Sequence, residues 1–223
     1  MLSGLAVLSA AGLLSACSAG APETSTDQLL LTADEAPVDQ LVIAEAEEWT
    51  ALRDKTATDF EGVRVEPPEC TQYNSDLALV DATDAELAAR ATAVGGLQDV
   101  QFILYITPHT GRIAQQSDAV DDCEEVTMAT DDEQNDFSAQ VTFQEIAAEE
   151  PDGVDDYSAL RRHVIASRGD QSLDETAVLY SGVVRDIGVE ALAFRGEGVD
   201  PETFDAALAE VFDAQVAKID AAD

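Results

Sequence analysis

Apolar and polar residues alternate most plainly toward Pro108. Val100, Phe102, Leu104 and Ile106 fall on one side, Gln101, Ile103, Tyr105 and Thr107 on the other. That period of two predicts a strand. The same reading predicts strands over residues 38–43, 63–65, 126–129, 137–147, 157–168, 175–185 and 189–194. Asp186-Ile187-Gly188 has the composition of a tight hairpin between the last two. Period 3.6 appears at the end of the chain. Phe204, Leu208, Val211, Phe212, Gln215 and Ile219 share one helical face, behind an Asp200 cap and Pro201 at the first helical position. Thr32 and Glu35 form a capping box on a short turn ended by Pro37, and Thr83 with Glu86 predicts a helix running to Ala93 and stopped by Gly95-Gly96. Residues 44–56 lean helical on their Glu, Ala and Leu content, and residues 110–123 read as a helix ending at a cysteine. Successive meander strands flanked by helices predict an α+β fold: an antiparallel sheet with helices packed on it and the C-terminal helix laid across.

Before these elements stands an uncharged apolar run, residues 1–13, ending in Leu14-Ser15-Ala16-Cys17. The tetrapeptide resembles a bacterial lipobox, with Leu three residues ahead of a cysteine and small residues between. The resemblance implies a signal peptide over 1–16, acylation of Cys17, and a protein held on the extracytoplasmic face of the cell membrane by its lipid. The competing reading is an ordinary secretory leader with an incidental cysteine. A leader of either kind normally opens with Lys or Arg, and residues 1–16 contain neither, a departure that fits a start placed late or a trimmed sequence. The apolar run is also too short to span a bilayer. Residues 17–28, small and polar, read as a flexible tether, leaving 29–223 as a single globular domain.

Charge narrows the partners. Asp and Glu number 46 against 11 Lys and Arg, a net charge of −35. Such a field repels phosphates, so nucleic acid is excluded as a partner. A solvated acidic coat, suited to saline surroundings, explains the composition without any site. The acidic clusters at 121–125 and 152–156 are the best candidates for cation capture. The run from Asp131 fails the EF-hand pattern, with Asp136 where Gly is needed and Thr142 where Glu is needed. No metal or cofactor is assigned.

With Cys17 given to lipid, Cys70 and Cys123 remain. An even pair in an exported chain reads as one disulfide; two buried thiols are the alternative, and neither cysteine has a second Cys or His nearby for a metal. The two histidines, His109 and His163, accompany no hydrolase motif and no phosphate loop. Arg161-Arg162-His163 is the single cationic knot. On a strand Arg161 and His163 share a face, and Arg162 takes the other. They serve either as ion pairs with neighbouring carboxylates or as an anion-ligand site built on Arg161 and His163.

The segment Pro67-Pro68-Glu69-Cys70, followed by a helix ending at Cys123 and a strand, resembles the PknH-like extracellular sensor domains of actinobacterial envelope proteins. The likeness runs from Leu29-Leu30-Leu31-Thr32-Ala33-Asp34-Glu35 to the closing strand–strand–helix. It implies an antiparallel sheet with packed helices, a pocket or groove for a ligand, and a Cys70–Cys123 bridge. The family's usual second cysteine pair is missing from residues 169–223, and no kinase domain is present. The expectation is therefore a non-enzymatic sensor or binding domain for a small molecule or envelope component. The alternative is an envelope lipid carrier, which requires a large apolar cavity.

Overall fold

Two strands of fourteen residues, β7 (Asp155–Arg168) and β8 (Gln171–Val184), form the spine of one antiparallel sheet. The structure is a computed structural model. It describes residues 20–37, 41–43, 50–51, 54–55, 58, 62–73, 87–94, 97–108, 110–111, 113, 123–130, 136–195 and 198–223. The other strands are β1 (Val42–Ile43), β2 (Val63–Glu66), β3 (Leu87–Val94), β4 (Leu97–Thr107), β5 (Glu125–Thr130), β6 (Phe137–Glu145) and β9 (Ile187–Phe194). Their order is β1-β3-β4-β9-β8-β7-β6-β5-β2. A short helix, α1 (Thr26–Leu29), precedes them, and α2 (Pro201–Asp220) follows.

Helix α2 forms where the caps and spacing put it. Asp200 Oδ1 accepts hydrogen bonds from the Thr203 N–H at 2.9 Å and its hydroxyl at 2.8 Å, which holds the Asp200 carboxyl below its ordinary range. Phe204, Leu208, Val211, Phe212, Gln215 and Ile219 are all buried against the sheet. The Phe212 ring lies 5.9 Å from Tyr157 and 6.0 Å from Tyr180, and its edge reaches Gly182. A Cβ at Gly182 would collide with Val154, so this close approach needs glycine. Gln215 is the one polar residue on the buried face. Its Oε1 accepts from the Leu31 N–H at 2.9 Å and its Nε2 donates to the Leu29 carbonyl at 2.7 Å, stitching the buried Leu29–Leu31 run to the helix.

The capping box at Thr32 is present, with the Thr32 N–H and hydroxyl both donating to Glu35 Oε2. Lys218 Nζ donates to the same oxygen at 2.6 Å and to the Leu30 carbonyl at 2.8 Å. The Lys218 contact, then the Thr32 bonds, draw the Glu35 pKa down to about 2. A depressed carboxyl stabilises the fold above its unfolded value and loses that contribution as pH falls. The stability gap between the native protein and Glu35→Gln should therefore be full above about pH 5 and close toward about pH 2. Glu35 is half exposed, so the gap should stay under about 1 kcal/mol. Paired thermal melts across that range check it, and a gap that widens in acid would contradict it.

Three expectations need correction. Residues 87–93 are strand, not helix: β3 pairs antiparallel with β4 from Leu87↔Ile106 to Val94↔Leu97. Its alanines favour helix locally, and a long-range ladder outweighs that small propensity. The β8–β9 turn is centred one residue earlier than Asp186-Ile187-Gly188. Arg185 and Asp186 hold φ of 48° and 62°, the handedness a two-residue hairpin needs. Gly188 instead lies in β9 under Ile113, whose Cδ1 would stand 2.6 Å from an added Cβ. The ordered chain also starts earlier than Leu29: within the expected tether, Thr26–Leu29 is helical, and the Glu23 and Thr24 N–H groups donate to the Asp223 carbonyl at 2.8 and 3.3 Å.

Of the predicted helix over 44–56, residues 50–51 and 54–55 are helical, and of that over 110–123, residues 111 and 113 are. Thr110 is a turn and Cys123 lies outside any helix, while the rest of both, with residues 38–40 and the Thr83–Glu86 capping box, lies outside the described residues. Among the described residues α2 is the long helix packed on the sheet, and none is long and apolar enough to cross a membrane.

Candidate functional site

The knot at 161–163 is divided by the alternation of β7. Arg161 faces α2, where its Nη2 donates to Asp205 Oδ2 at 2.5 Å and its Nη1 to Gln144 Oε1 at 3.3 Å. Burial, then the Asp205 charge, pushes the neighbouring Tyr180 hydroxyl up to about 12, and that hydroxyl donates to the Asp205 carbonyl. His163 Nε2 lies 2.8 Å from Asp174 Oδ1 on an exposed stretch. Both cations of the expected anion site are thus met by the protein's own carboxylates, Arg161 by one on α2 and His163 by one on β8. A carboxylate ligand at Arg161 would have to displace Asp205.

Arg162 points the opposite way and is 5% exposed. Its guanidinium centre sits 5.7 Å from the centroid of the Phe194 ring. It joins the wall of a cavity of about 130 Å³ whose other lining is apolar, including Val126, Met128, Ala139, Val141 and Phe143. A guanidinium keeps its charge at any physiological pH, so this apolar space has a fixed cation in its wall. Phe137, Ala166 and Leu173 line the cavity and also a wider, open continuation toward the β7–β8 hairpin. There Arg168 stands 5.4 Å from the Phe137 ring centroid. The result is a groove with an apolar floor and a guanidinium near each end.

The inner end carries the Cys70–Cys123 disulfide, which joins residues 53 apart in sequence. Cys70 follows β2 in a 3-10 turn (Pro68–Tyr73), and Cys123 precedes β5, which pairs with β2. Both sulfurs are buried in the apolar cluster that underlies the groove, and Cys70 lines the cavity.

A second polar feature of this face was not visible in the sequence. Ser158, Ser181, Glu190 and Tyr105 fall in one cross-strand row through β7, β8, β9 and β4. All four are buried, and the Tyr105 hydroxyl donates to Glu190 Oε2 at 3.1 Å. Serine and glutamate on a strand read as solvent-facing, and burial of that row depends on what packs over it. His109 and most of the acidic runs at 121–125 and 131–136 lie outside the described residues. Asp152, Asp155 and Asp156 are exposed, and no three His, Cys, Asp or Glu side chains converge as a metal site among the described residues.

No protein-family model and no curated protein matches the chain. Among solved structures it is similar to the Rv0999 ortholog of Mycobacterium smegmatis, at 19% identity over 72% of this chain and 78% of that one, with a TM-score of 0.41. It is also similar to the extracellular domain of PknH from Mycobacterium tuberculosis, at 13% identity over 78% of this chain and 97% of that one, with a TM-score of 0.39.

Proposed function

We propose that this chain is an extracytoplasmic binding or sensing domain, acylated on Cys17 and held on the cell membrane by that lipid. It takes a small, mostly apolar ligand in the groove on the Arg162 face. The observation that carries the ligand reading is a cavity with apolar walls and one buried guanidinium. The Leu14-Ser15-Ala16-Cys17 tetrapeptide supports the anchor, and the Cys70–Cys123 bridge suits an oxidising compartment.

The cavity bears on the lipid-carrier alternative. Among the described residues the enclosed part, about 130 Å³, lies below the roughly 300–1,000 Å³ of typical ligand pockets, so a larger ligand must lie partly in the open continuation, where an acyl chain would stay in contact with water. Native mass spectrometry of protein extracted from its own cells should show no acyl lipid beyond the Cys17 anchor. A stoichiometric co-purifying lipid would favour the carrier.

The groove can be probed with 1-anilinonaphthalene-8-sulfonate, which joins apolar rings to one sulfonate. The titration belongs in about 1 M salt, where screening over about 3 Å removes the repulsion of the acidic coat. Dye fluorescence should rise and saturate with the native protein. Ala166→Trp, at the half-buried rim shared by the cavity and its open continuation, should reduce that signal roughly tenfold by placing an indole across the groove. A native protein that leaves the dye dark, or a variant that binds it unchanged, rules out the groove as the site.

A further inference from the structure

The short distance in sequence between Cys17 and Gly20 fixes how an anchored molecule would stand. Gly20 follows Cys17 by three positions. Its carbonyl accepts a hydrogen bond from Arg185 Nε at 3.2 Å. Arg185 occupies the β8–β9 turn, and its Nη1 donates to the carbonyls of Ile219, Asp220 and Ala222 at the end of α2. One guanidinium therefore ties Gly20, a hairpin turn and a helix C-terminus, whose carbonyls carry partial negative charge. The Glu23 and Thr24 bonds to Asp223 close the same pole.

Three residues span at most about 10 Å when extended. We propose that the pole formed by the β8–β9 turn and the end of α2 faces the membrane, within about 10 Å of the lipid headgroups. This rests on the acylation of Cys17 proposed above. The groove opens toward the other end of the sheet, at the Gly169–Asp170 turn. Strand β8 separates the two turns by fourteen residues, about 40 Å at the usual rise per residue. The net charge of −35 opposes lying flat on anionic lipid, so the leash holds one end down while the field holds the rest away. The ligand then arrives from the outside, not from the bilayer.

The test uses the full chain, processed and acylated in cells and reconstituted into vesicles of phosphatidylcholine and phosphatidylglycerol bearing nickel-chelating headgroups. A nitroxide is placed at Asp186→Cys or at Asp170→Cys; both sites are exposed turn positions. Paramagnetic relaxation by the surface nickel falls steeply with distance and should be more than about a hundredfold stronger at 186 than at 170, given spacings of about 10 and 50 Å. Inserting twenty Gly and Ser residues after Ser18 gives a leash of about 25 Å and should erase most of that contrast. Equal relaxation at both sites, with Cys17 acylated by mass, overturns the orientation and leaves the anchor standing. Contrast that survives the insertion overturns it too, because the leash would not be its cause. An unmodified Cys17 overturns both proposals.

Discussion

Phe212→Ala is expected to lower the unfolding free energy by about 3–5 kcal/mol, the range for deleting a fully buried aromatic ring. The ring is completely buried, between Tyr157 and Tyr180 and against Gly182, so nothing beside it can move in without shifting the sheet backbone. Removing it leaves a void at the centre of the α2–sheet contact, where the lost transfer energy and the lost packing add. For a domain of this size the melting midpoint should fall by about 10 °C. Glu210→Ala, on the exposed face of the same helix, should change it by under about 0.5 kcal/mol. Urea unfolding of the two variants side by side decides the matter. A loss below about 1 kcal/mol for Phe212→Ala would mean that α2 is not seated on the sheet.

Replacing Cys70 and Cys123 together by Ala should cost about 4 kcal/mol in the chain-entropy description, since the bridge closes a loop across 53 positions. Alanine is the better replacement, because a hydroxyl in this apolar cluster would add a desolvation penalty of its own. The same change removes part of the cavity wall, so the double variant should also lose much of its dye fluorescence under conditions where it remains folded. The native protein under reductant should follow the variant in both respects. An unchanged urea midpoint would show that the bridge does not form.

Helix α2 was readable because its signals are local and agree. Asp200, Pro201 and the 3.6-residue spacing all lie in one stretch of chain, and each acts whatever the rest of the molecule does. Strands β4 and β6 to β9 were readable for the same reason, since alternation is written along each strand. Strand β3 was not. Half of Leu87–Val94 is alanine, and its strand state comes from β4 on one side and β1 on the other. A ladder of distant partners leaves no mark on the segment itself.

The groove was half readable. Alternation separates Arg162 from Arg161 and His163 with certainty. It does not say which face of the sheet will hold an open space, because both carry apolar residues. The helix covers the Arg161 side, and Asp205, forty-four positions away in sequence, satisfies that guanidinium. The cavity forms where β5, β6, β7, the start of β8 and the disulfide meet, and that meeting depends on strand order.

The borders of the sheet carry one more implication. Its outermost strands are the two-residue β1 and the four-residue β2, and β2 bears Arg64 and Glu66 as exposed charges. Proteins fixed by lipid to a common surface meet one another far more often than proteins in free solution. A long bare rim of N–H and C=O groups would let adjacent copies zip together into fibrils. At the β2 rim, four residues long with two exposed charges, a crowding neighbour finds little to grip.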